Sequence, residues 1–128
     1  METPISSITN AEHKNNYSVL KARVAVILAK FGEVRPVTSG YRSMADHLRI
    51  YAEKGITDKD KIPLKSKHLF GQALDIADSD GKLKEFLKNN VSLLEENELW
   101  CEDFSYTKTW VHFQIVAPAS GKRFFIPK

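Results

Sequence analysis

Asp75 lies between Leu74 and Ile76 in the stretch KSKHLFGQALDIAD, residues 65–78. Burying an unpaired carboxylate there would cost several kcal/mol or force its pKa upward, so Asp75 needs a hydrogen-bonding partner or a metal. Side chains alternate along a strand, and the segment ALDIA would turn Leu74 and Ile76 to one face and Ala73, Asp75 and Ala77 to the other. In TWVHFQIV the same rule groups Val111, Phe113 and Ile115 on one face and Trp110, His112 and Gln114 on the opposite one. If the two strands pair, His112 and Asp75 emerge together on a polar face. His68 precedes Asp75 across a turn at Gly71 and can swing back toward it. Two histidines and one aspartate suit a single Zn²⁺ ion, as three N/O ligands with a fourth position left for water. Zinc would keep Asp75 ionised and lower the pKa of that water to roughly 7. The residues alone also admit a metal-free structural domain, in which these histidines pack and Asp75 takes hydrogen bonds.

The elements that must position these groups can be read from periodicity. Tyr17, Leu20, Val24, Ile27, Leu28 and Phe31 recur at helical spacing, which predicts a helix from Ala11 to Phe31 with Thr9 or Asn10 as N-cap and Gly32 as its stop. VRPVTSGY predicts a short strand, with Pro36 marking an edge or irregular position. Ser43 is placed to cap a second helix closed by Gly55, and 55–67 reads as a polar loop. A third helix is expected over 82–97, with Leu83, Phe86, Leu87, Val91 and Leu94 inward. LWCEDF and TWVHFQIV read as strands, and RFFIP as a strand returning as a hairpin after the SGK turn. The last strands are adjacent in sequence, and helices do not alternate with strands. This favours an α+β class with a small, largely antiparallel sheet packed against helices.

With 128 residues the chain has the size of one domain, and 42% hydrophobic and 27% charged residues are those of a globular protein. A net charge of +3 from 19 basic and 16 acidic residues is too small to argue for nucleic acid, and no basic stripe or nucleic-acid motif is present. The lone Cys101 cannot form an internal disulfide. The longest apolar run, VAVILA, is too short to span a bilayer, and METPISSITN has neither a basic nor an apolar signal region. The expectation is a monomer made in the cytoplasm without a membrane span.

SKHLFGQALDIAD resembles the S-x-H-x-x-G-x-A-x-D pattern of the M15-type zinc D,D-peptidases, with Ser66, His68, Gly71, Ala73 and Asp75 at the five defining positions. That group includes D-alanyl-D-alanine carboxypeptidases and phage L-alanyl-D-glutamate endopeptidases. TSGYRS, residues 38–43, resembles its upstream S-G-Y-R-S segment, and WVHF its late histidine strand. The three blocks occur in the family's order. The resemblance implies a fold shared with Hedgehog domains, which does not by itself establish peptidase activity. It implies His68, Asp75 and His112 as zinc ligands and Arg42 as the cation that holds a substrate carboxylate or the scissile carbonyl oxygen. Arg42 could instead form a surface ion pair. Ser66 could hydrogen-bond within the site or organise its loop, while Trp110 and Gln114 share the cleft face. Gly71 and Ala73 are expected to be small because backbone passes close to the metal.

Many members carry a Glu or Asp three residues before the last histidine as general base, and here that position is Thr109. The nearest carboxylates are Glu102 and Asp103, of which Glu102 is favoured because W-x-E ahead of the last histidine block is similar to some phage-type relatives. The function implied is hydrolysis of an amide bond in peptidoglycan peptides by a lysin that a phage-type system delivers to the cell wall. The alternative is a non-catalytic zinc module that binds cell-wall peptide or a protein partner. His13 and His47 fall outside the blocks and are expected on the surface.

Overall fold

A computed structural model describes residues 4–127. Its first long element, α1 (Ala11–Phe31), begins where the Asn10 side chain accepts the His13 backbone N–H at 3.0 Å and ends on Gly32 at φ 88°. These are the N-cap and left-handed C-cap expected of a free-standing helix start and stop. Its buried stripe is Tyr17, Leu20, Val24 and Ile27. Full burial of a Leu or Ile side chain contributes about 1.5–3 kcal/mol, so this stripe fixes α1 against whatever it covers.

It covers one face of a five-stranded sheet. The strands are β1 (Val37–Ser39), β2 (Ala73–Ala77), β3 (Trp100–Glu102), β4 (Trp110–Gln114) and β5 (Phe124–Phe125), in the spatial order β1-β2-β4-β3-β5. Leu74 and Ile76 of β2, Cys101 of β3, and Val111 and Phe113 of β4 join the α1 stripe in one core. Three further helices complete the helical layer or flank it: α2 (Met44–Glu53), α3 (Lys82–Lys88) and α4 (Val91–Glu96). The fold is α+β, as the order of the expected helices and strands predicted.

The sheet is mixed, largely antiparallel with one parallel pairing. β1–β2, β2–β4 and β3–β4 are antiparallel, but β5 runs parallel to β3. The expected hairpin does not form because β4 is already paired on both sides, by β2 and β3. The free edge belongs to β3, where Cys101 N–H donates to Arg123 O at 2.9 Å and Asp103 N–H to Phe125 O at 2.7 Å. Pro36 precedes β1, which is an edge strand as that proline suggested.

The expected helix over 82–97 is broken in two. Asn90 leaves the helical region at φ −139°, and its side-chain amide donates to the Phe86 carbonyl at 2.8 Å. An Asn side chain offers the backbone an alternative to the next helical bond, and here it ends α3. Hydrophobic periodicity could not reveal the break, because Leu83, Leu87 and Leu94 are buried on both sides of it.

Gly71 follows a 3-10 turn, Lys67–Phe70, at φ 71°. A Cβ there would collide with the His13 carbonyl and press on Tyr17 Cβ at 3.3 Å. The close approach that requires glycine is therefore to α1 and not to the metal position. Ala73 is fully buried opposite Gln114 in the β2–β4 ladder.

Candidate metal centre

The β2–β4 register sets Asp75 directly opposite His112. Both project from the sheet face that α1 leaves uncovered, and the turn 67–70 brings His68 over them. One ligand atom from each of His68, Asp75 and His112 lies within 4.8 Å of the others. His112 Nδ1 is 2.9 Å and His68 Nε2 3.6 Å from the same oxygen, Asp75 Oδ1. Tetrahedral zinc ligands at about 2.0–2.1 Å stand roughly 3.4 Å apart, so these separations bracket those of a zinc donor set.

The outer nitrogens of both imidazoles are occupied. His68 Nδ1–H donates to the Gly40 carbonyl at 3.0 Å, and His112 Nε2–H donates to Gln114 Oε1 at 2.9 Å. The first bond fixes the His68 tautomer with its Nε2 lone pair toward Asp75. His112 Nδ1–H donates to Asp75 Oδ1 at 2.9 Å in the metal-free protein and would give up that proton to a metal. Ring nitrogens held from behind in this way are how metal-binding histidines are oriented. Gln114 is itself held by donating to the Val116 carbonyl at 2.6 Å. Its amide is thus committed to His112, although the residue also borders the cleft. These three side chains can hold a metal ion.

Burial pushes the His68 pKa down from 6.5 to about 4, with Arg42 and His112 acting the same way and Asp75 opposing. For His112 burial also disfavours the cation, but the hydrogen bond and charge of Asp75, with Glu102 and Gln114, outweigh it and raise the pKa. Glu102 lies 3.9 Å from His112 Nδ1 through Oε1. Its pKa is raised, by burial first and by Asp75, against His112.

The cluster forms the floor of a cleft of about 960 Å³. Arg42, Ser66, Trp110 and Glu102 border it together with the three ligands, while Asp103 and Thr109 do not. Asp103 instead closes a turn, accepting Ser105 N–H at 3.0 Å and Ser105 Oγ–H at 2.6 Å. Thr109 is exposed, and its carbonyl takes the Asp78 N–H. Arg42 is no surface ion pair: Nη2 donates to Ser39 Oγ at 3.0 Å and Nη1 to His47 Nδ1 at 3.2 Å. The Ser66 side chain makes no capping bond to the turn it precedes.

The expectation of surface histidines fails. His47 is fully buried and His13 half-buried, the latter with Nδ1 3.1 Å from Tyr41 Oη and its ring edge-on to Phe70. A signal for His47 was present in α2. Arg49 pairs with Asp46 and Glu53 on the outer face, so positions 47 and 51 must turn inward. Among the described residues no helix is long and apolar enough to cross a membrane. Comparison of the chain with protein-family models, curated proteins and solved structures found no match in any of the three.

Proposed function

We propose that this protein is a zinc-dependent hydrolase of amide bonds in the peptide part of bacterial peptidoglycan, with the Hedgehog/DD-peptidase arrangement of its α+β fold. The observation that carries this reading is the convergence of His68 Nε2, Asp75 Oδ1 and His112 Nδ1 on the floor of a cleft that Glu102 and Arg42 also border. The three sequence blocks that resemble M15-type peptidases supply the substrate class. A zinc ion held by these ligands supplies Lewis acidity toward a carbonyl oxygen and acidifies water.

The chain's own residues would do the rest. Glu102 is the one carboxylate of the expected pair that reaches the ligands, and its raised pKa suits a group that takes a proton and returns it to a leaving amine. Arg42, tethered at two nitrogens, would hold a substrate carboxylate or the carbonyl oxygen as charge develops. Ser66 and Trp110 line the route by which a peptide would enter. Such a lysin would reach the wall by release or phage-type delivery.

Digestion of purified peptidoglycan, with mass spectrometry of the released ends, tests the reading. Zinc-loaded protein should expose new amine and carboxylate termini. Glu102→Gln should lower turnover about 10²–10⁴-fold while Asp103→Asn leaves it near wild type. A second reading, a zinc module that binds cell-wall peptide without cleaving it, is favoured by Thr109 at the usual base position. It would be recognised by stoichiometric zinc and peptide binding with no new termini. Absence of stoichiometric zinc after metal addition would sink both.

A further inference from the structure

His47 is the buried residue of α2, and both of its ring nitrogens are committed. Nε2 lies 2.8 Å from the Pro63 carbonyl, which can only accept, so Nε2 carries the proton. Nδ1 lies 3.2 Å from Arg42 Nη1, which can only donate, so Nδ1 must present its lone pair. The neutral Nε2–H tautomer satisfies both neighbours at once, whereas an imidazolium would turn an N–H against the guanidinium. Burial first, and then Arg42 and Lys54, lower the pKa of this ring against the bond to Pro63, which keeps it neutral. The Tyr51 ring packs on it with centroids 5.0 Å apart. Arg42 is clasped from the other side by Ser39 Oγ, and its own backbone N–H donates to the His68 carbonyl at 3.2 Å. Its Nε is buried with no hydrogen-bond partner, so the orientation of the guanidinium depends on the two terminal nitrogens.

We propose that His47 is a positioning residue: anchored on the Pro63 carbonyl, it uses its Nδ1 lone pair to hold the Arg42 guanidinium at the cleft. Arg42 thereby answers to α2 as well as to β1. The catalytic consequence rests on the proposed role of Arg42 in holding substrate, but the contact itself is tested without it.

Two variants separate positioning from mere packing. In His47→Asn the side-chain oxygen can sit where Nδ1 sits, which preserves the acceptor for Arg42 and loses the bond to Pro63. In His47→Gln the amide reaches where Nε2 sits, which preserves the bond to Pro63 and loses the acceptor. Phenylglyoxal modification of Arg42 in the full chain, followed by peptide mass spectrometry with exposed Arg49 as internal standard, reads the clasp directly. Gln should speed modification of Arg42 roughly ten-fold, as expected for one lost charge-assisted hydrogen bond, and Asn should leave it near wild type. On peptidoglycan, Gln should raise KM or lower kcat with zinc content unchanged, and Asn should restore wild-type behaviour. Equal modification rates in wild type and Gln, or the reverse order of the two variants, would overturn the proposal. Should Gln fail to fold, long-range ¹H–¹⁵N spectra of the wild-type His47 ring decide, since a protonated Nδ1 also overturns it. A wild-type protein that leaves peptidoglycan intact would refute the proposed function while the modification rates still report on His47.

Discussion

Asp75 and Asp78 are three residues apart, and both are withdrawn from solvent, yet they are treated in opposite ways. Asp78 is fully buried and saturated: Oδ1 accepts from Leu83 N–H and Arg35 Nη1 at 2.9 Å each, and Oδ2 from Lys84 N–H at 3.0 Å and Lys84 Nζ at 3.3 Å. Two backbone amides and two cations leave it nothing further to bind, and it caps α3 as it does so. Asp75 faces two imidazoles held from behind by Gly40 and Gln114, and accepts a single hydrogen bond, from His112 Nδ1–H at 2.9 Å. Its charge is neutralised only in part, beside a cleft. A buried carboxylate that serves structure is closed by backbone donors and fixed cations, whereas one that can serve chemistry faces ring nitrogens that a metal can claim.

The largest test of that contrast is a pair of isosteric substitutions. Asp78→Asn should destabilise the protein by about 3–5 kcal/mol, because Lys84 is left buried without a counter-charge and Arg35 keeps only the outer carboxylates of Asp80 and Glu33. Asp75→Asn should cost the metal-free protein less, about 1.5–3 kcal/mol for its one bond to His112, and abolish stoichiometric zinc. Urea unfolding and elemental analysis measure the two, and equal losses of stability would erase the distinction.

Acid should separate the regions next. The folded pKa of His68, about 4, lies below its ordinary 6.5, so the unfolded chain takes up that proton first. Its contribution to metal-free stability is then complete above pH 6.5 and lost as pH falls toward 4, on the order of 3 kcal/mol. His47 acts in the same direction, and His112, whose pKa is raised, in the opposite one. The Arg35 cluster holds until lower pH, because hydrogen bonding to Arg35 keeps Asp80 ionised below the usual carboxylate range. Urea midpoints should therefore fall between pH 6.5 and 4, and His68→Gln should flatten that limb.

Removing the support behind one ligand is a finer probe. Gln114→Ala should weaken zinc binding about 10–100-fold by freeing the His112 ring, with folding intact. The smallest effect belongs to the rim of the other cluster. Asp80→Asn should lower the urea midpoint only slightly and leave zinc untouched, since its side chain is 44% exposed.

The sequence made Asp75 and His112 legible because strand alternation needs only local pattern, and antiparallel pairing then sets them face to face. The α1 caps, the α2 start and the strand segments were legible for the same reason. What was hidden depends on pairings across long stretches of chain. Arg35 meets Asp78 across 43 positions, and nothing in the periodicity of either segment points to the other. The parallel seat of β5 depends on which sheet edge remains open, a property of the assembled sheet. The reason for Gly71 was misassigned because the obstructing atom is a carbonyl of α1, which no motif around His68 mentions. Glu102 could be preferred over Asp103 from sequence, but it takes the alternation of β3, with Cys101 in the core, to turn Glu102 to the cleft.

The register that sets Asp75 against His112 also has a consequence in time. His68 and Asp75 are near neighbours along the chain, but His112 is 37 positions beyond Asp75 and arrives only when β4 docks between β2 and β3. Closing so long a loop is a late, entropically costly event in folding. The full chelate therefore cannot assemble on an early intermediate, and zinc supplied to the unfolded chain should do little to hasten its collapse. Metal uptake during refolding should instead mark the moment at which the central strands lock.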